Sequence, residues 1–251
     1  MPAHSQSAAI RLHNLTVAYR GHSAVHHLSG DFAPGSLTAI VGPNGAGKTS
    51  LLAAIMGRVP PAEGDVQLDT GTAGRIAWLP QQADIDRSFP IRVFDLVALG
   101  HWSRVGSFGG LDAPQREAVH RALDAVGLAG FERRSIAELS AGQFQRVLFA
   151  RVLLQDAPVI LLDEPFNAID ARTTADLLAV VARWHAEART VIAVLHDLEQ
   201  VRRHFDRTLL MARRCVAWGP TAEVLQAGHL FRARQIAEAW NDDAALCEEA
   251  A

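Results

Sequence analysis

Gly42-Pro43-Asn44-Gly45-Ala46-Gly47-Lys48-Thr49 is the stretch on which the reading of this chain turns. It satisfies the spacing G-x-x-x-x-G-K-[ST], a pattern that carries meaning only between a strand and a helix. Both flanks comply. Leu37-Thr38-Ala39-Ile40-Val41 is the nearly unbroken apolar run of a strand buried on both faces, and Ser50-Leu51-Leu52-Ala53-Ala54-Ile55-Met56 has helical character with Gly57 as its stop. In such a unit the backbone N–H groups of the loop and the helix N-terminus face phosphate oxygens. Lys48 balances charge on the β- and γ-phosphates, and the hydroxyl of Thr49 coordinates Mg²⁺.

Downstream, Val159-Ile160-Leu161-Leu162 reads as a second buried strand, and it delivers Asp163-Glu164 at its carboxyl end. Parallel sheets place their ligand-facing residues there. With a phosphate loop in the same chain, Asp163 is expected to hold Mg²⁺ and Glu164 to orient and deprotonate an attacking water. Taken by themselves, the two acids could equally be an ordinary strand-to-loop edge ahead of Pro165.

Between these two sites lies Leu139-Ser140-Ala141-Gly142-Gln143-Phe144-Gln145-Arg146. This octet resembles the signature motif of the ATP-binding cassette (ABC) ATPases, and the resemblance covers nearly the whole chain in the family's order. It implies ATP as the nucleotide, bound with Mg²⁺. It also implies that Ser140, Ala141, Gly142 and Gln143 meet the ATP held by a second copy of the chain, since a helix starting here would turn its positive end to a γ-phosphate. A helix cap alone would account for Ser140 but not for the rest of the octet. The remaining positions carry over one by one. Pro80-Gln81 resembles the loop whose glutamine senses Mg²⁺ and the attacking water, with Gln82 as the other register. Asn167-Ala168-Ile169-Asp170 matches the segment that crosses to the second copy, and Asp170 is counted among its nucleotide contacts. His196 matches the histidine that reaches the γ-phosphate. Tyr19, the only tyrosine in the chain, falls where relatives place a ring under adenine, although a half-buried strand tyrosine is the plain alternative. The expected phosphate contacts run from Gly42 and Pro43 through Asn44, Gly45, Ala46, Gly47, Lys48 and Thr49 to Ser50. Two departures stand out: Ala141 replaces the first glycine of the usual LSGGQ, and Asn167 stands where serine is common.

The resemblance implies an α/β fold: a P-loop ABC-type ATPase core with an antiparallel β edge subdomain and an inserted α-helical subdomain. Residues 1–89 and 158–228 are assigned to the core with its β subdomain, 90–157 to the helical subdomain and 229–251 to a C-terminal helix and tail. Local patterns support parts of this directly. Ile10, Leu12, Leu15 and Val17, then Ala24 to Leu28, read as short edge strands broken at Gly21 and Gly30, and Ile76 to Leu79 as another strand beyond a turn at Pro60, Pro61 and Gly64. One helix is marked by Asp112 as cap, Pro114 and Gln115 in its first turn, Val119, Ala122, Leu123 and Val126 on one face and Gly127 at its end. A second runs from about Ala141 to Leu154. Val191 to Leu195 is a further buried strand, preceded by a helix with Leu177, Leu178, Val181 and Trp184 on one side.

Bulk composition narrows the function classes. The 251 residues carry a net charge of −3, which gives no basic excess for a nucleic acid partner. Cys215 and Cys247 form no CxxC pair, as expected in a reducing compartment. No stretch reaches the roughly 18 apolar residues of a membrane span. A single cassette of this kind resembles the separate ATP-binding subunit of a bacterial importer, peripheral on the cytoplasmic face of the membrane. Its implied partners are a second copy of itself, transmembrane permease subunits and, indirectly, an external metal-binding protein. Phe89 to Val97, Glu164-Pro165-Phe166 and Val216 to Pro220 resemble subunits of zinc, manganese and iron(II) uptake systems, with zinc preferred. The competing class is a soluble ABC ATPase that acts on nucleic acid or protein complexes. His22, His26 and His27 bear potential metal ligands. In a strand, however, His26 and His27 point to opposite faces, so a solvated edge is expected. The tail residues Asp242, Asp243, Cys247, Glu248 and Glu249 read as a frayed end.

Overall fold

The computed structural model describes residues 10–20, 22–69, 76–81, 86–106 and 109–239. Gly21, Gln82 and the tail beyond 239 lie outside them. The central sheet has the order β5-β6-β7-β3-β8-β9, built from β3 (Leu37–Val41), β5 (Ile76–Leu79), β6 (Val159–Asp163), β7 (Thr190–Val194), β8 (Arg207–Ala212) and β9 (Arg214–Pro220). All pairings are parallel except β8 with β9. The period-2 alternation of strand side chains explains why these runs are apolar throughout. Leu37, Ala39, Ile160, Leu162, Val191 and Ala193 enter one core, whereas Ile40, Val159, Leu161, Ile192 and Val194 enter another on the opposite face.

The second core is closed by a three-stranded antiparallel sheet of order β2-β1-β4, comprising β1 (Ile10–Tyr19), β2 (His22–Phe32) and β4 (Glu63–Leu68). Three expectations change here. Strand β2 does not break at Gly30 but runs through it, because Gly30 adopts φ 153 and leaves room for the ring of Trp218 from β9. A Cβ at this position would lie 2.4 Å from that ring. Gly64 is not simply a turn residue: it sits inside β4, a half-exposed strand EGDVQL in which only Val66 and Leu68 turn apolar side chains to the core. His26 and His27 do not diverge, since His27 adopts φ 45 and the two rings meet edge to face at 4.4 Å. Glu63 also approaches His27 at 3.6 Å. Among the described residues no group of three or more His, Cys, Asp or Glu is arranged to hold a metal ion. Replacing Gly30 by alanine should destabilise the protein by roughly 1–3 kcal/mol through overpacking. The expected readout is a lower urea midpoint at unchanged slope; an unchanged midpoint would show that Trp218 yields freely.

The first core is closed by helices. After the strand β5, the chain forms α2 (Val93–Ala98), α3 (Trp102–Val105), α4 (Ala113–Ala125) and α5 (Ala141–Gln155) before returning to the sheet at β6. Asp112 caps α4 in a full capping box with Gln115, and Gly127 at φ 72 terminates it. Helix α6 (Ala171–Ala186) buries Leu177, Leu178, Val181 and Trp184, and its Trp184 stacks on Phe149 of α5 at 5.6 Å. No helix of the described residues is long and apolar enough to cross a membrane.

Candidate active site

Helix α1 (Lys48–Ile55) starts at Gly47, which adopts φ 87, and its first residue is the lysine of the glycine-rich loop. A Cβ on Gly47 would meet the carbonyl oxygen of Ala24 at 2.0 Å, so only glycine fits where the loop passes under β2. The loop and helix open onto a cleft of about 1070 Å³. Of the expected residues, Tyr19, Asn44, Gly45, Ala46, Gly47, Lys48, Thr49, Ser50, Glu164 and His196 line it. Tyr19 is 45% exposed at its rim, open to a planar ligand.

Lys48 is only 7% exposed, and its Nζ donates to the carbonyl oxygens of Gly42 and Pro43, both at 2.9 Å. Those two residues therefore serve the loop through their backbones rather than by lining the cleft. Burial holds the Lys48 ammonium below the usual lysine range, while Glu164 and Asp163 pull in the opposite direction. Asp163 ends β6 at 1% exposure, beneath the cleft. A buried carboxylate close enough to act on the Lys48 ammonium, with the exposed hydroxyl of Thr49 next to Lys48 in sequence, is a donor set that suits a hard divalent cation.

Glu164 follows Asp163 with φ 49, a left-handed conformation that costs a non-glycine residue about 1 kcal/mol or more. The turn aims its carboxylate at His196, whose Nε2 lies 2.6 Å from Oε1. The second oxygen, Oε2, accepts from Asn167 Nδ2 at 3.2 Å. His196 itself is set by β7 behind it and by α7 (Leu198–His204) ahead, which Asp197 caps. The chain thus holds the Glu164 carboxylate between two polar partners on the lining of the glycine-rich cleft.

The signature residues lie elsewhere. Ser140 caps α5, accepting from the Gln143 N–H at 3.2 Å while the Gln143 side chain accepts from the Ser140 N–H at 3.0 Å. Neither they nor Ala141 and Gly142 line the cleft. A Cβ on Gly142 would meet Thr173 Oγ1 at 3.2 Å and Asp170 Oδ2 at 3.4 Å, so the N-termini of α5 and α6 stand side by side. Asp170 caps α6, and hydrogen bonds from the Thr173 amide and hydroxyl hold its carboxyl below the usual range. Within the octet, Gln145 donates to the Pro165 carbonyl oxygen at 2.6 Å and Arg146 pairs with Asp176 at 2.6 Å. The signature helix is therefore tied to the loop that follows Glu164. Gln81 lies past the end of β5 and does not line the cleft either.

Sequence reasoning missed His22, Ser23, Ala24, Asn167 and Arg213 as cleft residues. Asn167 was visible as a departure from the family pattern. His22 pairs with Tyr19 across the β1–β2 turn, which a hairpin assignment would have revealed. Arg213 reaches the loop only through tertiary structure and left no local signal.

A model of the ABC transporter family matches residues 25–167, more than half of the chain. The manganese transport system ATP-binding protein MntB of Listeria innocua is 38% identical over 85% of this chain and 91% of its own length. The zinc transport system ATP-binding protein TroB of Treponema pallidum is 37% identical over 90% of this chain and 86% of its own. Among solved structures, a metal-chelate type ABC transporter in an inward-facing conformation matches with a TM-score of 0.80 at 26% identity, covering 90% of this chain and 89% of that one. The chain belongs to the ABC transporter family, and its domain is an ABC ATPase.

Proposed function

We propose that this protein is the ATP-hydrolysing subunit of an importer for a divalent transition-metal ion, with zinc as the first candidate and manganese or iron(II) as the alternatives. Hydrolysis is supported above all by the Glu164–His196 pair, 2.6 Å apart at the rim of the phosphate-loop cleft. The cargo is supported by the names of the manganese and zinc system relatives. On this reading residues 1–89 and 158–228 form the catalytic core, 90–157 the helical subdomain and 229–251 a C-terminal appendage.

In the reaction, Tyr19 carries the base and the backbone of Gly42 to Ser50 surrounds the phosphates. Lys48 leaves the carbonyls of Gly42 and Pro43 to meet the transferred phosphoryl group, regaining in phosphate charge what it loses in hydrogen bonds. Thr49 and Asp163 would hold Mg²⁺, with Gln81 approaching from its loop; the ion supplies positive charge against the developing anion. Glu164 takes the proton of the attacking water, and His196 keeps the carboxylate aimed and reaches toward the γ-phosphate. Ser140, Gly142 and Gln143 act on the nucleotide of a second copy, with Ala141 in the first turn and Asp170 beside them. A pair of chains then encloses two ATP and docks from the cytoplasmic side on permease subunits.

Reconstitution with those permease subunits in vesicles tests the assignment. Hydrolysis should rise when the partner binding protein is loaded with zinc. Stimulation by manganese alone would move the cargo to manganese, and failure to co-purify with any polytopic membrane subunit would remove the transport role.

A further inference from the structure

We propose that Arg213 is a nucleotide-binding residue, a second fixed cation that meets the polyphosphate of ATP alongside Lys48; this rests on the cleft being the ATP site. Arg213 is the single residue between β8 and β9, and it adopts φ 58. Glycine or asparagine is at home in that conformation, whereas a long side chain is strained there. The turn has no geometric need for arginine, so the side chain is the feature that offsets the strain.

Its backbone is fixed on both sides. The Arg213 N–H donates to the carbonyl oxygen of Ala46 inside the glycine-rich loop at 2.9 Å, and its carbonyl accepts from the His26 N–H at 2.7 Å. The guanidinium Nη1 donates to the Ser23 carbonyl oxygen at 3.2 Å, and the residue lines the cleft with Lys48 and Tyr19. The hairpin is thus anchored to the phosphate loop, and any movement of the loop carries the guanidinium with it.

Charge balance gives the arginine its purpose. Among the described residues lining the cleft, Lys48 and Arg213 are the only lysine and arginine, while Glu164 lines it and Asp163 lies beneath. The site thus numbers two cations against two carboxylates. Without Arg213 the fixed charge would be net negative before a polyanion arrives, and the attraction of a partly desolvated site for phosphate would fall accordingly. Being planar and permanently charged, a guanidinium suits phosphate oxygens better than a second ammonium would.

The backbone conformation separates binding from folding. Arg213→Asn suits φ 58 better than arginine does, so the variant should melt no lower than the parent protein. Calorimetric titration of the full chain with MgATP should nevertheless show affinity weakened by about tenfold, with a shallower dependence on salt. MgADP should weaken similarly, and Arg213→Lys should recover most of the loss. A folded Arg213→Asn protein that binds MgATP within about twofold of the parent overturns the proposal. Lys48→Met run in parallel separates the two levels. If it too binds MgATP normally, the cleft is not the ATP site and both readings fall; if it alone loses binding, only the role of Arg213 falls.

Discussion

Glu164→Gln should bind MgATP as the parent does, lose about 10²–10⁴-fold in turnover and accumulate as an ATP-bound dimer. The substitution is nearly isosteric, and the environment of Glu164 tolerates it. The amide oxygen can take over the hydrogen bond from Asn167 Nδ2, while the new NH₂ faces His196 Nε2, which accepts it in the appropriate tautomer. The left-handed backbone at Glu164 is untouched. What disappears is the ability to hold a proton taken from water. The measurement is single-turnover hydrolysis combined with size-exclusion chromatography in the presence of MgATP. Hydrolysis within a few-fold of the parent would falsify the base role of Glu164 and leave the carboxylate a structural partner of His196.

Lys48→Met should fold normally and lose MgATP affinity by about 10³-fold. The estimate follows from one unit-charge interaction at about 4 Å with an effective dielectric constant near 20, roughly 4 kcal/mol. Methionine retains most of the buried stem, so the packing of α1 against the sheet persists. The carbonyls of Gly42 and Pro43 lose their donor in the empty protein, but both residues are only partly buried and water can replace it. Equilibrium binding of MgATP with thermal unfolding as the folding control decides the matter. Binding within about tenfold of the parent, in a protein of unchanged melting temperature, would show that the cleft beside Lys48 is not where MgATP binds.

How much of this was legible in the sequence depended on whether the chemistry is contiguous. Gly42 to Thr49 carries its own geometry, since the glycines, the lysine and the helix start lie within one short segment. Asp112 with Gln115, and Ser140 with Gln143, are likewise local capping boxes that a spacing of three residues announces. Strand β4 escaped because its alternation is confined to Val66 and Leu68, too short a run to mark a strand behind the turn residues that precede it. Gly30 was misread because glycine usually interrupts a strand, whereas here it admits the indole of Trp218 from the far end of the chain. The grip of Asn167 on Glu164 and the position of Arg213 against Ala46 depend on backbone turns with positive φ at non-glycine residues, which residue type does not reveal.

The separation of the Ser140–Gln143 segment from the cleft of its own chain has a kinetic consequence. If each reaction centre draws its two halves from different molecules, turnover in free solution is second order in protein, and dilution silences it faster than it removes protein. Holding two copies on one membrane assembly replaces bulk concentration with an effective one of millimolar order. Hydrolysis then becomes first order in the assembled complex, so unassembled subunits spend little ATP at the low concentrations of a bystander pool.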